Sequence, residues 1–171
     1  DQLKRFTGDA DAVGAQSAII RATAWMRQND PFLAADEIAP LLERYPRHRD
    51  LLALHAATLA LQWRTPELDE ALAQFDALSP GSPDALLAVG KALAEVRQYE
   101  IAADYLERAS ARQPNLPAPL IELGLLELQS GRDTRALDAL RRAAQLDPFN
   151  TRAANSLSLI EELLTYETVE S

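Results

Sequence analysis

Cysteine is absent from the 171-residue sequence, which excludes disulfide bonds and thiolate metal sites within the chain. Long apolar runs are also absent, and no stretch approaches the roughly 18 residues that a membrane-spanning helix needs. A basic excess is missing as well, since 26 acidic side chains outnumber 17 basic ones and give a formal net charge of -9. Proteins that bind nucleic acid usually present a basic face. We therefore expect no nucleic-acid ligand and no membrane insertion of this segment.

The motifs of common catalytic sites are missing too. Gly90-Lys91 is not a phosphate-binding loop, because alanine stands where that motif needs its first glycine and its Ser or Thr. His48 and His55 are seven residues apart, but two histidines without a third ligand make a poor zinc site. No G-x-S-x-G nucleophile motif occurs. We expect no enzyme activity, no cofactor and no metal in this chain.

An internal repeat with a period of about 34 residues is the main feature that is present. Gly90 and Gly124 lie one period apart, and the same offset relates the residues around them. The matching pairs are Leu86 and Leu120, Val89 and Leu123, Ala102 and Ala136, Leu106 and Leu140, Ala109 and Ala143, and Pro114 and Pro148. Such a period is typical of stacked helix pairs, in which each pair covers apolar side chains of its neighbour.

This pattern resembles the tetratricopeptide repeat (TPR) family, whose repeats place large apolar residues at positions 4, 7 and 24, small residues at 8, 20 and 27, and proline at 32. The resemblance implies an all-α fold, a right-handed superhelical solenoid of antiparallel helix pairs. It implies about four repeats, at 15–48, 49–82, 83–116 and 117–150, with a C-terminal capping helix at 151–165. An N-terminal extension at 1–14 and a tail at 166–171 remain outside the repeats.

Two of these repeats depart from the pattern. The first, at 15–48, is degenerate, although Ala22 and Trp25 stand at its small and aromatic positions. In the second, Ala71, Phe75 and Leu78 indicate that the second helix is shifted and begins three residues late. We therefore expect a longer turn between the two helices of that repeat.

Capping and turn residues agree with this placement of the helices. Three dipeptides put a capping side chain before a proline at the first helical position, namely Asp30-Pro31, Thr65-Pro66 and Ser82-Pro83. Asn29 and Gly131 fall between paired helices, where a residue tolerant of left-handed geometry is needed. No segment shows period-two alternation of useful length, so we expect essentially no sheet.

In TPR proteins the first helix of each pair lines a groove at repeat positions 2, 5, 9, 12 and 13. Carried over to this sequence, the resemblance implies a partner-binding groove of Ile19, Thr23, Met26, Arg27, Ala53, Ala57, Leu61, Leu87, Lys91, Ile121, Leu125, Leu128, Arg152 and Asn155. The carboxylate clamp of chaperone-binding members is missing, because Lys91 stands nearly alone. A mostly apolar groove suits a peptide or an amphipathic helix of a protein partner. The alternative is that part of this apolar strip packs internally.

Several functional alternatives stay open. The chain is a protein-interaction scaffold, or it is an accessory TPR domain of a larger enzyme. The stretch 161–171 resembles the junction at which bacterial TPR arrays run into a zinc metallopeptidase domain, whose catalytic part would lie outside this chain. Because the chain begins at Asp1 rather than Met, we expect a segment of a longer protein. The final helix is apolar for an array end, so a homodimer through it is a third alternative.

Overall fold

The structure, a computed structural model, describes the backbone of residues 2–167 and the side chains of residues 14 and 16–165. Within these residues the chain forms nine α-helices and no β-strand. The helices are α1 (Gln2–Arg27), α2 (Pro31–Arg44), α3 (Arg49–Leu61), α4 (Thr65–Leu78), α5 (Asp84–Glu95), α6 (Tyr99–Arg112), α7 (Pro117–Gln129), α8 (Asp133–Leu146) and α9 (Thr151–Glu167). None of the described helices has the length and apolarity to cross a membrane. The all-α prediction is confirmed.

Two compact units divide the chain, Asp1–Pro80 with α1 to α4 and Gly81–Ser171 with α5 to α9. In the first unit α1 packs on α2 and α3 packs on α4, and α2 also packs on α3. In the second unit α5 packs on α6 and α7 packs on α8, while α6 contacts α7 and α8 contacts α9. Each pair is therefore covered by a helix of its neighbour, as the repeat predicts.

A residue with positive φ follows the first helix of every pair, and these residues recur once per repeat period. They are Asn29, Trp63, Arg97 and Gly131, with φ of 60°, 60°, 62° and 73°. The turn at Trp63 is closed by two backbone hydrogen bonds of 3.1 Å, from Trp63 N–H to the Ala60 carbonyl and from Arg64 N–H to the Leu59 carbonyl. Such bonds satisfy the last carbonyls of a helix and offset the cost of positive φ. The sequence predicts a left-handed turn residue at Asn29 and Gly131, but it does not predict one at Trp63 or Arg97.

The second helix of the second repeat is not displaced, so the expected three-residue delay is wrong. α4 spans Thr65–Leu78, which places it one full period after α2 and one full period before α6. In this register Phe75 takes the place of Ala109, and its side chain is fully buried. The prediction failed because a helix face recurs after three or four residues, so that a slip of three preserves much of the apolar pattern.

One of the three predicted caps has the expected form. The Asp30 carboxylate accepts a hydrogen bond of 3.0 Å from the Leu33 N–H at the start of α2. Thr65, in contrast, is itself the first residue of α4 and does not precede it. Pro83 is the cap residue of α5 and not its first residue, while the Ser82 hydroxyl accepts a hydrogen bond of 3.3 Å from the Asp84 N–H.

The ends of the chain differ from the repeat boundaries. α1 begins at Gln2, so one helix runs through residues 2–14 of the segment that the repeat pattern sets apart as an extension. α9 continues to Glu167, two residues beyond the predicted end of the capping helix. Residues 168–171 of the predicted tail lie outside the described residues. The remaining repeat boundaries stay predictions.

Close approach of paired helices depends on glycine at two equivalent positions of the second unit. A Cβ atom at Gly90 would lie 2.7 Å from Leu106 Cγ, and one at Gly124 would lie 2.6 Å from Leu140 Cγ. Both leucines are fully buried. The glycines therefore allow the two helices of a pair to pack at a separation that any larger residue would prevent.

Candidate functional site

A charged row connects the first helices of the second unit. The Lys91 ammonium on α5 lies 3.4 Å from Glu122 Oε1 on α7, and Arg152 Nη2 on α9 donates to Glu122 Oε2 at 3.0 Å. The side chains of Lys91 and Arg152 are 50% and 54% exposed, whereas that of Glu122 is 15% exposed. One carboxylate thus joins the cations of both neighbouring helices. We call these three residues the Lys91–Glu122–Arg152 row.

Sequence reasoning predicted the two cations of this row and missed the acid between them. Lys91 and Arg152 both belong to the predicted groove set, whose other members are mostly apolar. Glu122 and Glu127 are the two acidic residues of α7, whose other side chains are mostly apolar. A carboxylate on such a helix needs a partner to remain partly buried. That pattern was the signal that could have identified Glu122.

Apolar side chains surround the row on α5 and α7. Leu87, Leu125 and Leu128 are partly exposed, while Ile121 is buried with 4% exposure. Leu125 packs against the cluster around Leu120, which limits how far it can move. Asn155 on α9 is exposed. The surface can therefore offer apolar contact area, two half-exposed cations and one amide.

The predicted groove residues of the first unit are more buried. Ile19, Thr23 and Leu61 are partly exposed, and Arg27 is exposed. The Thr23 hydroxyl donates to the Ile19 carbonyl at 2.7 Å, so it is engaged within α1.

Three further groove residues of this unit, Met26, Ala53 and Ala57, have exposures of only 7%, 8% and 1%. Together with Ile121 they make four predicted positions that pack internally, as the alternative anticipated. The binding role of the other ten stays a prediction.

A second ionic cluster connects α6, α7 and the start of α8. The Glu127 side chain is 1% exposed and pairs with Arg132, while Arg135 Nη2 lies 3.1 Å from Glu127 Oε1. Arg132 and Arg135 also pair with Glu100 and Glu107 of α6. The hydrogen bond with Glu127 raises the pKa of Arg132 above its usual value against the effect of burial. This cluster links α6 to the α7–α8 pair through ion pairs.

Both histidines have structural surroundings. His48 caps α3, where its Nδ1 accepts a hydrogen bond of 3.4 Å from the Leu51 N–H. His55 is partly buried on α3, and burial, helped by the charge of Arg64, lowers its pKa. Across the described part of the chain, no group of three or more His, Cys, Asp or Glu side chains is arranged to hold a metal ion.

Comparison with known proteins gives a match at the level of structure. No protein-family model and no curated protein sequence matches the chain. The crystal structure of MamA is similar with a TM-score of 0.55 and 23% identity, covering 82% of each chain. TTC0263, a thermophilic TPR protein of Thermus thermophilus, has a TM-score of 0.59 and 16% identity, covering 85% of this chain and 80% of its own.

A human protein shares the same architecture. The first TPR domain of human RPAP3, solved by NMR, has a TM-score of 0.56 and 17% identity, covering 74% of this chain and 99% of its own. At such identities the likeness concerns the fold alone. It agrees with the paired helices and with the regular spacing of their turns. The chain has a tetratricopeptide-repeat fold, an all-α helical repeat.

Proposed function

We propose that the chain is a non-catalytic protein-interaction scaffold that binds a peptide or amphipathic helix on the first helices of its second unit. The observation that carries the proposal is the Lys91–Glu122–Arg152 row with the partly exposed Leu87 and Leu125 beside it. A mostly apolar surface with a few placed polar groups suits a peptide that buries apolar side chains and fixes its register with charge.

The charge of the row indicates which peptides it would prefer. Two cations share one carboxylate, so the row has a local charge of +1 in a chain whose net charge is -9. Lys91 and Arg152 are about half exposed, so an acidic side chain of a ligand can bind them from the solvent side while Glu122 keeps its ion pairs. The proposed ligand carries apolar residues and at least one carboxylate.

Charge reversal on the row tests this proposal. A library of displayed peptides is selected against the wild-type chain, and the recovered peptides are measured by fluorescence anisotropy. We expect acidic, apolar sequences whose affinity falls about tenfold or more in Lys91→Glu and in Arg152→Glu, since a lost charged hydrogen bond costs about 1.5–3 kcal/mol. Arg108→Glu is the matched control, because Arg108 is 49% exposed and its ion pair is with Asp104 of the same helix.

The outcome separates a specific groove from general attraction to charge. Equal losses in Arg108→Glu and Lys91→Glu would show that only net charge matters. Unchanged affinity in both Lys91→Glu and Arg152→Glu would refute the row as the site. Ala57→Glu is unsuitable as a groove variant, since Ala57 is 1% exposed and the change would bury an unpaired charge.

A second candidate function is self-association through the final helix. Leu159 and Leu163 of α9 are 50% and 45% exposed. Apolar side chains exposed on one helix can pack against a second copy. Light scattering of the wild type and of Leu163→Glu distinguishes a dimer from a monomer. The accessory role in a larger enzyme, with its catalytic part outside this chain, also stays a proposal.

A further inference from the structure

Two large aromatic side chains of the first unit are exposed where its helix pairs turn. Phe32, in the first turn of α2, is 66% exposed, and Trp63, in the turn between α3 and α4, is 58% exposed. The side-chain amide of Gln62 donates a hydrogen bond of 2.9 Å to the Pro31 carbonyl, which joins the two residues that directly precede them. The backbones of Phe32 and Trp63 are therefore held side by side. We call these two residues the aromatic edge.

The equivalent residues of the second unit show that side chains at these positions reach each other. Glu100 stands two repeat periods after Phe32 and forms an ion pair with Arg132, which stands two periods after Arg64. Both residues also line one open hollow of about 320 Å³. A side chain at the Phe32 position can thus contact the turn that contains Trp63 and Arg64.

The exposure of the aromatic edge comes from the repeat positions and not from a missing neighbour. Pro66 and Thr134 stand at the Phe32 position in α4 and α8, and both are exposed. Gly131 stands at the Trp63 position and is exposed as well. Each of these residues has a helix pair before it in its own unit. A further helix pair stacked on the first unit would therefore leave Phe32 and Trp63 in solvent.

Neither the backbone nor burial favours a tryptophan at this turn. Trp63 has a φ of 60°, in the left-handed region that bulky residues rarely adopt. Gly131 has a φ of 73° at the equivalent turn and meets the same requirement without a side chain. Aromatic residues are enriched at protein interfaces, and Trp is among the residues that contribute most to binding. The aromatic edge is therefore better suited to binding a partner than to stabilising this chain.

The two helices that begin at the aromatic edge are acidic. α2 and α4 together contain seven acidic residues and one basic residue, whereas α6 and α8 together contain five of each. Asp36 on α2 and Glu70 on α4 are exposed within about two helical turns of the edge. Arg64, the cation next to Trp63, is already paired with Glu67 at 2.8 Å. The charges around the edge therefore favour a cationic ligand.

We propose that the aromatic edge binds a basic segment of another protein, whose arginine or lysine side chains stack on the two rings and pair with carboxylates of α2 and α4. A cation over an aromatic ring is attracted by the negative face of the ring, and the attraction is strongest for Trp. A second copy of this chain is disfavoured as the occupant, because its net charge is -9 and the same acidic helices flank its own edge. The edge lies in the first unit, whereas the Lys91–Glu122–Arg152 row lies in the second unit and attracts acidic ligands.

Selection of a displayed library of random peptides on the wild-type chain tests the proposal. Peptides that also bind a double variant, Phe32→Thr with Trp63→Gly, are removed, and the others are measured by fluorescence anisotropy. The two substitutions introduce the residue types that Thr134 and Gly131 provide at the equivalent positions, so helical circular dichroism should not change. We expect peptides rich in arginine or lysine, whose affinity falls about tenfold or more in Trp63→Gly alone.

Matched variants separate the aromatic edge from other surfaces. Phe149→Ser should leave the affinity unchanged, because Phe149 is 93% exposed but lies in the turn before α9, in the second unit. Lys91→Glu should also leave it unchanged, which separates the edge from the proposed groove. Trp63→Asn repeats the main test with the residue type of Asn29, in case the glycine variant loses helical circular dichroism.

The contribution of the acidic helices is tested separately. Asp36→Asn combined with Glu70→Gln should weaken binding about threefold or more, because two carboxylates near the edge lose their charge. Asp104→Asn is the control, since Asp104 is 63% exposed on α6.

Four results would overturn the proposal. The first is a selection that yields no peptide able to distinguish the wild type from the double variant, and the second is a set of discriminating peptides without arginine or lysine. The third is an equal loss of affinity in a variant and its control, either Trp63→Gly and Phe149→Ser or the Asp36 and Glu70 double variant and Asp104→Asn. The fourth is a dimer, seen by light scattering, that Trp63→Gly disperses, since this would assign the edge to a second copy.

Discussion

Replacing Gly124 by alanine tests the close approach of α7 and α8. The added Cβ would lie 2.6 Å from Leu140 Cγ, 2.9 Å from Leu140 Cδ2 and 3.3 Å from the Ala136 carbonyl oxygen. Separations below 3.0 Å are essentially never seen for Cβ atoms. Leu140 is 0% exposed, so its side chain cannot turn into solvent. The two helices must therefore move apart or repack.

Two opposing effects determine the expected change in the free energy of unfolding. Alanine is favoured over glycine inside a helix by about 1 kcal/mol. Forcing a methyl group into a filled core costs about 1–3 kcal/mol. Gly14→Ala in α1 is the comparison variant, in which only the helix preference for alanine should operate. Among the described residues, no heavy atom lies within 4 Å of a Cβ atom built at Gly14. We expect Gly124→Ala to be less stable than Gly14→Ala by about 1–3 kcal/mol.

Urea unfolding followed by circular dichroism measures this difference. Leu140→Ala alone should cost about 2–5 kcal/mol, because it leaves a cavity. In the double variant the methyl group added at Gly124 occupies part of that cavity, so the combined loss should be smaller than the sum of the single losses. Equal stability of Gly124→Ala and Gly14→Ala, together with additive losses in the double variant, would refute the contact and the register assigned from it.

Three further predictions concern single residues. Arg97→Gly should raise the free energy of unfolding by up to about 1 kcal/mol in a urea titration, because glycine adopts the observed φ of 62° without strain; a loss of stability would contradict this. Glu127→Gln should lower it by about 1–3 kcal/mol, since the partly exposed Arg132 loses its buried carboxylate partner; a loss below about 0.5 kcal/mol, the scale of an ordinary surface substitution, would show that the pair is not coupled. Burial lowers the pKa of His55, so the folded chain binds fewer protons than the unfolded chain just below pH 6.5. The free energy of unfolding should therefore lose nothing to His55 above that pH and should decrease as the pH falls below it. An NMR titration that gives a pKa of His55 at or above 6.5 would contradict this prediction.

Much of the fold follows from the sequence because its key contacts join residues that are close in sequence, and because few residue types fit at those positions. Gly90 and Gly124 could be identified since only glycine fits where two helices touch. The register of α4 could not be determined from the sequence. Ala71 and Phe75 have the spacing of a small and a large repeat residue, and a shift of three residues leaves much of the same helix face apolar. Only the position of the turn at Trp63 resolves it.

The candidate site was harder to predict for a different reason. Repeat positions indicate which side of a helix faces the groove, but not how deeply the neighbouring helix covers it. Ala57 and Ile121 are buried, whereas Leu125 at the same kind of position is partly exposed. Glu122 lies one position outside the predicted groove set and still pairs with two of its members. Side-chain length and the geometry between helices decide such contacts.

The turns with positive φ have a consequence for how this chain can change by mutation. Four different residue types serve at the same turn, Asn29, Trp63, Arg97 and Gly131, so substitution there is tolerated by the backbone. A change in length is a different matter. One residue more or less in the turn would rotate the following helix by roughly 100° about its axis and withdraw its apolar stripe from its partner. Point substitutions can therefore accumulate at these turns, while insertions and deletions should be confined to steps of a whole repeat.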